Sequence, residues 1–173
     1  MSKPFISTET IFQNLFSLVS QTTLLDTSGN PTGTAAFATT SRRLPQVSNV
    51  GQAEQPAIYQ LELNQDVIEK TQGAASYELH CDLFVFFRNT GGPNEVASSQ
   101  MNALRDAVIY QLQQATLAAD GVTVVPLLGG QRQTLGGVVY HARVKGTVLQ
   151  NEGTQNNQGA IVIPVSILSL IHI

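Results

Sequence analysis

The sequence predicts an α+β domain, an antiparallel or mixed β-sheet backed by two α-helices, spanning residues 1–173 as a single unit. Two segments carry apolar residues at three-to-four spacing, several others alternate apolar and polar residues, and the order runs helix, strands, helix, strands with short connections. With 173 residues and 42% apolar side chains, about 70% of the unfolded chain's surface can be buried. A core of that size needs no disulfide or metal to hold it.

The first predicted element is a helix over about 7–25, where Ile11, Leu15, Leu18 and Val19 share a face, Ser7 or Thr8 can cap the N-terminus and Glu9 complements the dipole. Residues 26–55 read as a long loop. Its first part, Asp26 to Arg43, is rich in Gly, Pro, Ser and Thr, with a short strand expected around Ala35 to Thr40. Residues 56–173 carry the sheet and the second helix. After Gln55-Pro56, Ala57, Tyr59, Leu61 and Leu63 alternate with polar partners as in a half-buried strand. In the next strand Tyr77, Leu79, Cys81, Leu83, Val85 and Phe87 share one face, and Glu78, His80, Asp82, Phe84 and Phe86 the other. That second face turns from charged to aromatic halfway, so its aromatic end must be covered.

Gly91-Gly92-Pro93 breaks the chain, and Asn94 can cap a helix in which Ala97, Met101, Leu104, Val108, Leu112 and Ala115 keep helical spacing to about Ala119. Val122 to Leu127 reads as a short strand, Gly129-Gly130 as a turn, and Leu135 to Thr147 as a further alternating strand. After a polar turn over Asn151 to Gly159, the closing strand is apolar on both faces, which places it centrally or under a partner. Pro164 then requires a bulge or a free edge.

Composition restricts function. Charged residues make up 12% of the chain, half the usual share of about 25%, while 27 positions are Asn or Gln. The exterior is therefore expected to be uncharged polar or buried against partners. A net charge of −3 and a pI near 5.5 disfavour a protein whose task is gripping phosphates. The single cysteine, Cys81, excludes an intrachain disulfide. The first twenty residues lack the apolar run of a secretory signal, and Ala160 to Ile173 is too short and too interrupted to span a bilayer. No membrane association is expected.

The search for catalytic chemistry returns little. The glycine pairs at 91–92, 129–130 and 136–137 lack the context of a phosphate-binding loop and read as turns. Glu78, His80 and Asp82 project from one strand face at metal-ligand spacing, but no second histidine lies near in sequence, so a solvated or interfacial face is the simpler reading. His80 and Cys81 point to opposite faces and cannot act as base and nucleophile. His141 could pair with Cys81 across strands, but no nucleophile motif surrounds the cysteine, so Cys81 reads as a core residue and His141 as a buried or interfacial histidine. Arg42, Arg43, Arg88, Arg132, Arg143 and Lys145 are diluted among carboxylates and suit either intersubunit pairing or ordinary surface display. No catalytic residue, metal site or cofactor is expected, and the chain is not read as an enzyme.

The ordered features resemble the tail terminator proteins of long-tailed bacteriophages. Along most of the chain these are the N-terminal helix, Arg42-Arg43-Leu44, Gln55-Pro56-Ala57 opening a strand, Phe84-Val85-Phe86-Phe87 ending one, and Met101-Asn102-Ala103-Leu104 after Gly91-Gly92. Most specific is the ending: Leu135-Gly136-Gly137-Val138-Val139, Arg143-Val144-Lys145-Gly146, Asn151-Glu152-Gly153, and Ala160-Ile161-Val162-Ile163-Pro164-Val165 with Ile167-Leu168. The chain departs from the family pattern at Pro45-Gln46-Val47, where an aromatic residue is common.

The resemblance implies a structural virion protein of the tail or neck, assembled in the host cytoplasm. Six copies would form a ring on the head-proximal end of the tail tube, stop tube polymerisation and present a surface to the head-to-tail connector or stopper protein. The expected partners are the chain itself, the tube protein and the connector, with DNA passing through the lumen of a net acidic ring without specific binding. The candidate subunit or tube contacts are Arg42, Arg43, Arg88, Arg132, Arg143, Lys145 and Glu152, with the loops Asp26 to Arg43 and Asp66 to Ala75 reaching neighbouring rings. The alternatives are another neck or tail-completion protein that joins head and tail, a small enzyme using Glu78, His80 and Asp82 or Cys81, and a nucleic-acid binding module.

Overall fold

The computed structural model describes residues 6–71, 74–89, 97–152 and 157–171. Two helices, α1 (Thr8–Val19) and α2 (Ala97–Gln114), lie against a mixed sheet. The sheet contains β3 (Thr39–Ser41), β4 (Ala57–Thr71), β5 (Ala74–Arg88), β8 (His141–Val144), β9 (Leu149–Asn151) and β10 (Gln158–Ile171). Its order is β3-β4-β5-β10, with β8 and β9 both on the far edge of β10. Every pair is antiparallel except β3 with β4. Two small hairpins complete the architecture: β1 (Thr23–Leu25) with β2 (Pro31–Ala35), and β6 (Ala115–Leu117) with β7 (Val124–Pro126). The α+β class expected from the sequence is the one observed. No helix among the described residues is long and apolar enough to cross a membrane.

Strand alternation sorts the core as the sequence predicts. Leu79, Cys81, Leu83, Val85 and Phe87 of β5 and Ile161, Ile163, Val165 and Ile167 of β10 form one layer. Packed on it are Ile11, Leu15 and Leu18 of α1 and Met101, Leu104, Val108 and Leu112 of α2. The register of β10 on β5 runs unbroken from Gln158 opposite Arg88 to Ile171 opposite Ala75. Gly159 lies opposite Phe87, whose ring covers it so closely that a Cβ there would stand 2.2 Å from Cζ.

Pro164 has the free edge that its missing N–H requires, without a bulge. Its carbonyl accepts from the Lys145 amide at 3.0 Å, so its nitrogen faces the same side, in the gap between β8 (opposite 165–168) and β9 (opposite 160–162). The closing strand is central, as its two apolar faces predict.

Both helices are shorter than their apolar periodicity predicts, and the reason is the same. The last four carbonyls of a helix need partners from outside it, and here buried glutamine amides supply several of them. Gln111 Nε2 donates to the Leu18 carbonyl (2.9 Å) and the Thr22 hydroxyl to that of Val19 (2.7 Å), so α1 stops at Val19 and Thr23–Leu25 is strand rather than helix. Gln133 Nε2 donates to Leu112 (3.1 Å) and to Ala115, ending α2 at Gln114 instead of near Ala119. Gln60 Nε2 donates to the Phe12 carbonyl at 3.0 Å and ties β4 to α1. The expected cap Asn94 and the break at 91–93 lie outside the described residues.

The predicted loop 26–55 is more structured than its composition indicates. An Asp26 side chain accepting from Ser28 and Asn30 amides (2.8 and 2.9 Å) closes the β1–β2 turn. The expected strand at Ala35 to Thr40 resolves into β2 before it and β3 overlapping its end. By contrast, the strand expected over Leu135 to Thr147 narrows to β8, because Leu135, Gly136 and Gly137 all have positive φ (51°, 78° and 88°). A Cβ at Gly136 would lie 2.8 Å from the Ala118 carbonyl oxygen.

Gln133 satisfies four groups at once, since its Oε1 also accepts from the Leu135 amide (3.1 Å) and the Thr116 hydroxyl (2.7 Å). Gln133→Leu is expected to lower the unfolding free energy by about 2–4 kcal/mol, because it orphans buried backbone groups rather than removing one exposed bond. Urea titration checks this; a loss under about 0.5 kcal/mol contradicts the internal-cap account.

Candidate functional site

The face of the sheet turned away from the helices is built by the even residues of β5. Phe86 lies between Ala57 and Ala160, Phe84 between Tyr59 and Val162, Asp82 between Leu61 and Pro164, and His80 and Glu78 beside Ser166 and Leu168. Beyond them β8 adds Arg143 opposite Ser166 and His141 opposite Leu168. The aromatic end is covered as predicted: Val50, with Leu44 alongside, packs on Ala57, Tyr59 and Phe86. Toward the middle Leu61, Phe84, Val162 and Pro164 remain half-buried.

The charged end is a set of separate pairs. Glu78 Oε1 accepts from Lys145 Nζ at 2.5 Å and from the Ser166 hydroxyl, and these bonds hold its carboxyl below the ordinary range. His80 Nε2 pairs with Asp66 Oδ2 at 2.9 Å. Burial pushes the Asp82 carboxyl up, while His80 pulls the other way. Glu78, His80 and Asp82 thus share the face the sequence assigns them, yet two of the three are engaged with different partners. Among the described residues no group of three or more His, Cys, Asp or Glu stands close enough to hold a metal ion.

Cys81 points the other way, into the core, where burial raises its thiol pKa far above the ordinary value. Cys81 is a core residue, as the sequence suggests; His141 sits on the open face and does not pair with it.

The basic candidates divide into two groups. Arg42 is an internal clamp. Its guanidinium bonds both Glu9 carboxylate oxygens (2.6 and 3.0 Å) and also Glu62, linking α1 to β4. Lys145 is held by Glu78. Both are engaged within the chain. Arg43, Arg88, Arg132, Arg143 and Glu152 are exposed and have no ion pair among the described residues.

The predicted loop Asp66 to Ala75 is instead the distal part of the β4–β5 hairpin, with Lys70 opposite Ala75 and Thr71 opposite Ala74. Only β3 borders β4 on its outer side, and only at 57–59, so from Gln60 onward that edge has no strand partner among the described residues. Leu63, Val67 and Ile68 are exposed there (49%, 58% and 55%). Register shifts between Glu62 and Gln65 and between Val67 and Glu69 interrupt the ladder, as edge strands often do to limit indiscriminate pairing. Sequence reasoning misses this segment because Asn64-Gln65-Asp66 breaks the alternation.

A scan against protein-family models finds no match to this chain, and a search of curated proteins finds none either.

Two outcomes follow. Cys81 should react with a thiol reagent only after denaturant unfolds the chain; rapid labelling of the native protein contradicts its core position. Because the folded-state pKa of Glu78 is lowered, its pairing stabilises above the ordinary carboxylate range and is lost as pH falls through the folded value. Lys145→Met should therefore be less stable than the parent chain at neutral pH, with the difference vanishing in strong acid, as measured by thermal melts across pH.

Proposed function

We propose that this chain is a structural virion subunit that closes into a ring on the head-proximal end of a phage tail tube, ends tube growth and offers the head connector its attachment surface. The observation that carries this reading is the β4–β5 arm: a long strand edge, largely unpaired among the described residues, with Leu63, Val67 and Ile68 exposed along it. An unpaired strand edge with apolar side chains exposed along it suits pairing with another protein chain. The half-buried open face around Phe84 and the exposed Arg43, Arg88, Arg132, Arg143 and Glu152, which have no ion pair among the described residues, offer further contact area. The resemblance of the C-terminal half to tail terminators supplies the identity of the assembly and its six-fold number.

Mechanically the role needs no reactive group. A heterologous contact, repeated at a rotation that returns to its start, closes a ring, and broad complementary surface then covers the last ring of tube subunits. An acidic subunit of net charge −3 gives DNA little to adhere to as it passes. A neck or tail-completion protein joining head to tail would use the same surfaces and is separated from this reading by position in the particle.

Sedimentation velocity and negative-stain microscopy of the purified full chain should show closed rings, and a phage lacking the protein should build tails of uncontrolled length. Val67→Asp with Ile68→Lys should leave a folded monomer. A wild-type chain that stays monomeric, with normal tail length in its absence, overturns the proposal.

A further inference from the structure

At the β8 edge of the sheet, Arg132, His141 and Arg143 surround an open cleft of about 370 Å³, floored by Gln133 and Ala142. The segment before Gln133 is held against β8 by the Ala142 amide, which donates to the Gln133 carbonyl at 2.8 Å. Arg132 lies over the Tyr140 ring, 4.9 Å from its centroid, and Tyr140 in turn meets the His141 ring at 5.8 Å edge-on. The aromatic contacts hold one guanidinium at the mouth of the cleft without neutralising it.

Three basic groups therefore converge where no carboxylate of the described chain pairs with either arginine. The Nδ1 of His141 is buried with no hydrogen-bond partner among the described residues. Charges of one sign gathered in a chain of net charge −3 are costly unless an anion completes them, and guanidinium forks match carboxylates in shape as well as charge.

We propose that this cleft is a carboxylate-binding site, filled by an acidic side chain of a second copy of this chain. The inference rests on the assembly reading above and names a contact within it. The chain also contains what the cleft lacks. Among the carboxylates whose side chains are described, Asp82 and Glu152 alone have neither an ion pair nor a hydrogen bond; the others cap turns or hold Arg42, His80, Lys145 or Arg105. Unpaired cations at one site and unpaired carboxylates at another are the two halves of a head-to-tail contact. A protein carboxylate is favoured over a nucleic-acid phosphate because the chain is acidic overall and the basic groups form a single cleft rather than a stripe.

His141 offers a direct reporter. Burial, then Arg143 and Arg132, hold its pKa below the ordinary value, with Lys145 acting in the same sense and Glu78 opposing. An anion in the cleft reverses that balance and raises it.

The test uses the full chain, with self-association followed by sedimentation velocity and the His141 imidazole by NMR. Arg132→Gln with Arg143→Gln is expected to weaken association at least tenfold, with unchanged urea unfolding, while Arg105→Gln, on α2 and paired with Asp106, has no effect. Either Asp82→Asn or Glu152→Gln should reproduce the loss. In the dissociated chain, sodium acetate should raise the His141 pKa saturably, and the double variant should abolish that response. Association that survives the double variant, or that neither carboxylate variant weakens, overturns this site and leaves the assembly reading standing. A wild type that never associates overturns the assembly reading and this occupant together. Duplex DNA retained at physiological salt and released by the double variant assigns the cleft to phosphate and overturns the proposal.

Discussion

Each helix turns carbonyls of its last turn into the protein, and that single constraint organises much of the rest. A helix terminus in solvent finds water for its last carbonyls; a buried one must find donors in its own chain. Gln111 supplies one for α1, and Gln133 supplies one to Leu112 in α2 and one to Ala115 just beyond it, while Gln60 ties the sheet to the middle of α1 through the Phe12 carbonyl. A neutral amide meets this need where a charged side chain would cost several kcal/mol to desolvate. Part of the unusual amide content is thereby accounted for in the interior. The few charges that remain are paired across elements, as in Arg42 between Glu9 and Glu62, or left exposed.

With the helices committed to one face, the other is available. The same strands that bury Leu83, Val85, Ile163 and Val165 under the helices present Phe84, Asp82, Val162 and Pro164 on the opposite side. Among the described residues, the segment that carries Leu44 and Val50 covers part of it. A two-layer domain thus keeps a core and retains a broad, weakly charged surface, joined to an extended hairpin edge. Such a division of labour suits a protein that acts through shape, because altering the outer face leaves the packing beneath it intact.

The faces of β5 and the central place of β10 are legible from sequence, since period-two alternation and a doubly apolar strand translate directly into position. The glycine turns at 129–130 and 136–137 are legible for the same local reason, and both are turns in the fold. Helix ends are not, because their determinants lie far away: Gln133 ends α2 from a later segment, and no local pattern announces it. The distal half of β4 is hidden by its polar residues, which are tolerated where a strand has solvent on its outer edge. Among the candidate contacts, Arg42 and Lys145 are indistinguishable in sequence from Arg132 and Arg143. What separates them is which basic group the fold sets within reach of a carboxylate, a fact of tertiary placement alone.

The central claim is that the open sheet face and the outer edge of β4 exist to be covered by other chains. Electron cryo-microscopy of the intact particle tests it most directly. The account predicts this chain in a closed collar at the top of the tail tube, with Leu63, Val67 and Phe84 buried against neighbours. Finding it elsewhere, or finding those residues facing solvent in the finished particle, contradicts the claim.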